Sequence, residues 1–366
     1  MKRVGVLSVL TCLLGLALGC PGPIIDRPPD VPLQPANHST NANMVGYRVL
    51  LEGTTGVGRG TVGNRGFLLA GTVSGLAVLP EDPGWTLLTV SGPLADLPAL
   101  GIQRDAEAYQ GYAYVCSNTL GTREGVMIVD LRELSQNKAT YLRSLLPHDG
   151  NPRGNNLSID QASGFLYLQR SSGVEVWSLA PDPAQPVYVA SFAPGVPVSD
   201  LVVQGGYAYL SEGSANAFSL WSVLDPAHPA LVERWAARGF ARSIWPDETG
   251  NLIGTAEENA TAPVRFWTRS PSAGILQVGS WSFGDGTAPY SIKLSSQRAV
   301  LGHGQAGMLV LDHADPSRPS VRARFDGPMP GGEPALRDVW DVLPSSSGGV
   351  VFVSDRQNSL IQVMVH

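Results

Sequence analysis

The sequence predicts an all-β fold assembled from repeats of four short strands, seven by count, with six or eight as the alternatives. Three observations carry this expectation: a turn-rich composition, a strand–turn–strand motif that returns at a nearly constant interval, and a Pro-rich link late in several repeats. The 366 residues include 42 Gly and 29 Pro, and only 15% are charged. Such a chain favours many tight turns over long surface helices. Its length suits two average domains or one large all-β domain. The formal net charge of −6 leaves no basic footprint, which argues against nucleic acid as a partner.

The repeat starts from GYAYLSEG at Gly206, with relatives GFLLAG at Gly66, GYAYVCS at Gly111 and GFLYLQR at Gly164. Weaker copies are NLIGTAE, RAVLGHG and VVFVSDR, so the second residues fall at 67, 112, 165, 207, 252, 299 and 351. Those positions lie 42 to 53 residues apart, near the period of about 40–50 expected for propeller blades. A third strand follows each motif, as in GVMIVDL, GVEVWSL, AFSLWSV, PVRFWTR and GMLVLDH. Links such as DPAQP, DPAHP and DPSRP then lead to a fourth strand. Short strands apolar on both faces suit a blade stacked between two neighbours. The last unit stops after three strands, and the segment Tyr47–Leu51 reads as a spare strand that completes it. Closing the ring in this way leaves no open edge.

Ahead of the repeats stand two further segments. Lys2-Arg3 and the apolar run from Val4 to Gly19 are too short to span a membrane and describe a secretory signal over residues 1–19. Ala17-Leu18-Gly19-Cys20 resembles the lipobox of bacterial lipoproteins, with Ala17 where most carry Leu. That resemblance implies cleavage before Cys20 and a diacylglycerol on its sulfur. Residues 20–43 carry Pro at 21, 23, 28, 29, 32 and 35 and then a polar run, a composition that stays extended as a tether. The propeller is assigned to 44–366. Once Cys12 leaves with the signal and Cys20 takes lipid, only Cys116 remains, so no disulfide framework stabilises the domain.

Val126–Asp130 and Met308–Asp312 resemble the element that names the LVIVD-repeat proteins. The DPxxP links and the ending RDVWDVLPSSSGGVVFVSD resemble exported propellers of the choice-of-anchor B family, over roughly residues 64 to 366. Membership implies export with a surface anchor and no established enzymatic activity. Relatives often open the first strand of a blade with His followed by Asp or Asn. The matching positions here read Arg104-Asp105, Asn155-Asn156, Ser199-Asp200, Arg242-Ser243, Tyr290-Ser291 and Arg337-Asp338, without His.

In a propeller the start of the first strand and the turn after the second open on one end of the axial channel. Asp105, Asn156, Asp200, Glu212, Arg242, His303 and Asp338 are therefore the candidate mouth residues. Mixed charge signs there suit a polar or peptide partner. The column Asp130, Ser178, Ser222, Thr268 and Asp312 is assigned to turn fixing. Trp177, Trp221 and Trp267 are assigned to packing between blades. No nucleophile elbow, zinc-protease helix or phosphate loop is present. The expected function is thus a lipid-anchored, extracytoplasmic binding or scaffolding module on the outer membrane or cell surface. It needs no metal or other cofactor, and no catalytic residue is assigned. Its partners are the membrane, through the lipid at Cys20, and a protein, peptide or polar envelope ligand. The alternative is a hydrolase or lactonase with a metal in the axial channel, for which Asp105, Asp200 and Asp338 would be the ligands.

Overall fold

The computed structural model describes residues 42–48, 54–62, 65–72, 76–80, 103–117, 125–136, 138–148, 154–170, 173–180, 182–193, 195–258, 263–270, 272–283, 289–295, 297–304, 306–325, 336, 338–345, 349–355 and 359–365. The signal and Cys20 lie outside these residues. Strand β1 (Ala42–Arg48) is followed by β2 (Thr54–Val62), β3 (Arg65–Thr72) and β4 (Leu76–Pro80), the last three forming a three-stranded meander. Five four-stranded antiparallel meanders come next, in chain order. They run from β5 (Gln103–Tyr109) to β8 (Thr140–Leu145), β9 (Gly154–Asp160) to β12 (Val187–Phe192), and β13 (Asp200–Gln204) to β16 (Ala230–Ala236). The remaining two run from β17 (Phe240–Pro246) to β20 (Gly274–Trp281) and from β21 (Ser291–Leu294) to β24 (Ser320–Phe325). The final sheet contains β25 (Val339–Pro344), β26 (Val350–Asp355) and β27 (Ser359–Val365). Its fourth strand is β1, with Ala42 opposite Val365 and Arg48 opposite Leu360.

This is an all-β propeller. Six of its sheets are four-stranded blades, rather than the seven predicted from the repeat count. The difference lies at β2–β4, a three-stranded sheet followed by residues 81–102, which are outside the described set. The spare strand expected at Tyr47–Leu51 is centred earlier, on Ala42–Arg48.

Packing explains the geometry. Each inner strand touches the next, from β2 through β5, β9, β13, β17 and β21 to β25, and β25 touches β2. Apolar clusters fill the seams between sheets. Phe67, Leu69, Val115 and Met127 join the β2 and β5 sheets, and Leu68, Leu79, Phe352 and Leu360 join the last sheet to the first. Both faces of second strands such as Tyr207–Ser211 and Arg298–Gly302 are thereby covered, which is why these read as nearly continuous apolar runs.

Turn chemistry sets the repeat. Asp182, Asp225 and Asp315 of the DPxxP links each accept the N–H two residues on, at 2.9, 3.1 and 3.0 Å. Their carbonyls also accept from Gln185, His228 and Arg318, closing a turn around the proline. Asp130 and Asp312 likewise accept from Arg132 and Ala314 at 2.9 Å, the turn-fixing role expected of that column. Ser178 acts in the opposite sense, donating to the Ala180 carbonyl at 2.9 Å.

The inner hairpin from β13 to β14 (Tyr207–Ser211) turns on Gly205 and Gly206, with φ of +60° and +77°. Two positive φ values in a two-residue loop match the twist of the flanking strands. At Gly206 a Cβ would fall 2.4 Å from Leu224 Cδ2, whereas Gly205 faces open space. Gly206→Ala is expected to lower unfolding free energy by about 1–2 kcal/mol, and Gly205→Asn to be nearly neutral. Urea denaturation checks this, and equal losses at both positions would contradict the turn assignment.

Candidate functional site at the channel mouth

Five of the seven inner strands share a device at their starts. Pairing with the second strand slips by one residue between Thr54 and Gly56 in β2, Gln103 and Asp105 in β5, Ala241 and Ser243 in β17, and Val339 and Asp341 in β25. A similar slip in β9 lies opposite Leu168 and Arg170. An extra residue bends a strand and re-aims a side chain, and bulges of this kind recur at barrel rims. Arg242 and Trp340 are bulge residues. The residue after the bulge then faces the next sheet.

Those following residues, together with Asp200 and Ser291 from β13 and β21, whose pairing shows no slip, form a column: Asp105, Asn156, Asp200, Ser243, Ser291 and Asp341. Each precedes a buried apolar residue, namely Ala106, Leu157, Leu201, Ile244, Ile292 and Val342. The expected match at Arg337-Asp338 is therefore corrected to Trp340-Asp341, three residues later. Asp338 instead donates its backbone N–H to Asp355 Oδ2 at 3.0 Å. The Arg337-Asp338 dipeptide mimics the Arg104-Asp105 start of an inner strand without occupying that place. The alternation Asp341-Val342-Leu343, parallel to Asp200-Leu201-Val202, was the signal that locates the column.

The column works as a girdle. Asp105 accepts from Ala106 N at 2.8 Å and, across the seam, from Leu157 N at 3.1 Å. Asp200 accepts from Leu201 N at 2.9 Å and from Ile244 N at 3.1 Å. It also receives Asn156 Nδ2 at 2.9 Å and the Ser243 hydroxyl at 2.6 Å. Asp341 accepts from Val342 N at 2.9 Å and from Val57 N of the three-stranded sheet at 3.4 Å. Ser243 Oγ accepts from Ile292 N at 3.3 Å. Glu107, two residues below Asp105, repeats the pattern by accepting from Ile159 N at 2.8 Å. These bonds use carboxylate lone pairs to satisfy main-chain donors that no strand partner reaches.

Burial has a charge cost here. Loss of solvent pushes Asp105 up to about 7, against the opposing hydrogen bond from Leu157 and the nearby Lys293. Glu107 is pushed up to about 8, first by desolvation and then by the Asp105 charge. Asp341 is raised for the same first reason. Lys293 is the cation common to all three, and its ammonium lies 3.6 Å from the Trp245 ring centroid. The Cys116 thiol, buried beside them on β6 (Tyr112–Ser117), is also pushed well up by desolvation. Among the described residues, no group of three or more His, Cys, Asp or Glu is placed to hold a metal ion.

The second-strand turns hold brackets between strands. Glu212 is 1% exposed and pairs with Arg234 Nε at 2.7 Å. Glu257 pairs with buried Arg265 and accepts from Arg238 N at 2.7 Å. Arg170 faces Glu175 at 3.7 Å, and Gln169 donates to the Val198 carbonyl. His303 is buried and stacks on Phe283, ring centroids 3.6 Å apart. Trp177 and Trp267 are buried between sheets as expected, with Nε1 donating to Glu175 and Thr255 at 3.0 Å. Of the predicted mouth residues, Asp105, Asn156 and Asp200 belong to the girdle and Glu212 and His303 to packing.

Arg242 is different. Its guanidinium lies 4.7 Å from the Tyr290 ring centroid and 4.9 Å from that of Trp340, while Nε faces Glu258 Oε1 at 3.2 Å. The two rings are 5.2 Å apart and tilted by 39°. Three consecutive sheets thus contribute one residue each to a half-buried aromatic–cation cluster on the rim. Tyr290 was visible in the sequence as a first-strand start. Trp340 was hidden by the shifted alignment.

No family model matches the sequence, and no curated protein matches it. Among solved structures, a chain in a crystal structure of a mitotic checkpoint complex is similar in fold. It has a TM-score of 0.62 at 15% identity, over 96% of this chain and 98% of that one. At that identity the likeness concerns the fold alone.

Proposed function

We propose that this protein is a lipid-anchored, extracytoplasmic propeller that acts as a binding or scaffolding module through the rim of its channel. The propeller fold supports such a role in general, since it presents a rigid, preformed surface that loses little freedom on binding. The observation that carries the choice of rim is the Arg242–Tyr290–Trp340 cluster, where bulges at Arg242 and Trp340 bring both side chains beside Tyr290. The axial carboxylates, by contrast, are occupied by main-chain donors and face Lys293, which disfavours the metal-hydrolase alternative. A seventh blade built on β2–β4 accords with the Asp341–Val57 bond, which repeats the seam contacts of Asp105 and Asp200.

The anchor rests on the signal and on Ala17–Cys20. Cells supplied with labelled palmitate are expected to label the full chain, and Cys20→Ala to abolish both label and membrane fractionation. Label persisting in Cys20→Ala sinks the lipoprotein reading. Binding is tested by affinity capture from envelope extracts with the full chain in detergent, using Arg242→Lys as the paired control. A partner recovered by the native chain and lost with Arg242→Lys is the expected result. Identical recoveries would remove the rim cluster from the site.

A further inference from the structure

We infer that the Arg242–Tyr290–Trp340 cluster docks a planar monocarboxylate carried on an apolar body, the chemistry of a C-terminal or acidic residue in a partner's peptide segment. The inference deepens the binding-module reading and rests on it. The guanidinium is held before any ligand arrives: Nε is ion-paired with Glu258 at 3.2 Å, and its carbon lies 4.7 and 4.9 Å from the centroids of two neighbouring rings. Its two terminal nitrogens have no protein acceptor among the described residues, although the side chain is only 18% exposed. An arginine fork held in this way is suited to two parallel N–H bonds with a carboxylate. Little rotamer freedom remains to be lost on binding.

Local charge selects the anion. Glu258 sits beside the guanidinium, Asp341 follows Trp340 on its strand, and Asp200 accepts from the hydroxyl of Ser243, the residue after Arg242. A dianionic phosphate meets more repulsion there than a single carboxylate does. The half-buried edges of Tyr290 and Trp340 give an apolar substituent a surface to cover. This combination fits neither a sugar polymer nor a polyanion.

The full chain in detergent is titrated by calorimetry with three probes: N-acetylphenylalanine, its amide, and a capped tetrapeptide with one internal Asp beside Phe. The free acid is expected to bind at least about tenfold more tightly than the amide. Arg242→Lys is expected to lose that difference at an unchanged melting temperature, and Trp340→Phe, which keeps a ring, to retain most of it. Tighter binding of the internal-Asp peptide than of the free acid assigns the source to a side chain, and the opposite order to a chain terminus. Equal binding of acid and amide, full binding by Arg242→Lys, or no binding of either carboxylate probe below about 10 mM overturns the inference. An Arg242-dependent captured partner without carboxylate binding would overturn only this chemistry. Carboxylate binding without such a partner would overturn only the module reading.

Discussion

Asp200→Ala is expected to destabilise the propeller by about 3–5 kcal/mol, the range for breaking a buried charged network. Asp200 is 8% exposed and accepts four hydrogen bonds, two of them from main-chain N–H groups on different sheets. Truncation leaves Leu201 N and Ile244 N buried without an acceptor, each costing about 1–3 kcal/mol. Asp200→Asn should recover only part of the loss. A carboxamide offers one oxygen, and its NH2 must then face donors rather than acceptors. The check is a chemical denaturation series at fixed pH, with an unchanged slope showing that the unfolded state is unaltered. A loss within about 0.5 kcal/mol would mean that Asp200 is a solvated mouth residue after all.

That expectation reverses how Asp200 reads in the sequence, and the reversal shows what is legible there. The propeller class, most strands and the Asp-Pro turns were readable, because alternation and turn residues act over a few positions. The fourth strand expected for the first unit is not among the described residues. Gly205-Gly206 announces its own hairpin. The role of Asp200 was not readable, since its decisive partners, Asn156, Ser243 and Ile244, lie 43 or 44 residues away. Bulges made this harder. A single inserted residue flips every later side chain to the other face, so Trp340-Asp341 fills a place that dipeptide matching assigned to Arg337-Asp338. Glu107 and Lys293 escaped notice because each looks like an ordinary polar position in an alternating strand. Glu107 lies two residues from Asp105 on one strand, whereas only closure of the ring brings Lys293 into electrostatic contact with them.

Raising the pH from about 5.5 to about 8.5 is expected to weaken the fold, and Glu107→Gln to remove much of that dependence. Asp105 titrates near 7 and Glu107 near 8 in the folded chain, against ordinary values of 3.8 and 4.5. The folded state therefore holds protons that the unfolded chain releases. For such groups the favourable contribution is complete below the unfolded values and disappears as pH rises through 7 to 8. Each unit of difference corresponds to about 1.4 kcal/mol, so the pair governs several kcal/mol, part of the Glu107 share arising from the Asp105 charge. The groups around them set the sign: Asp341 adds to the raising of Asp105, Lys293 opposes it at both carboxylates, and both carboxylates in turn help to hold the Cys116 thiol up. Carboxylates held low, such as Asp130 beside Arg132, lose their contribution only as pH falls below the ordinary carboxylate range, outside this window. Glu107→Gln keeps an oxygen for Ile159 N and cannot ionise, so its denaturation midpoint should exceed that of the native chain at pH 8.5 and change less across the range. A native midpoint that is flat or rises from pH 5.5 to 8.5 would mean that the axial carboxylates are hydrated and ionised throughout. The girdle would then be held by solvated charges, and Lys293 would be a counter-ion to all of them rather than to the few that remain charged at neutral pH.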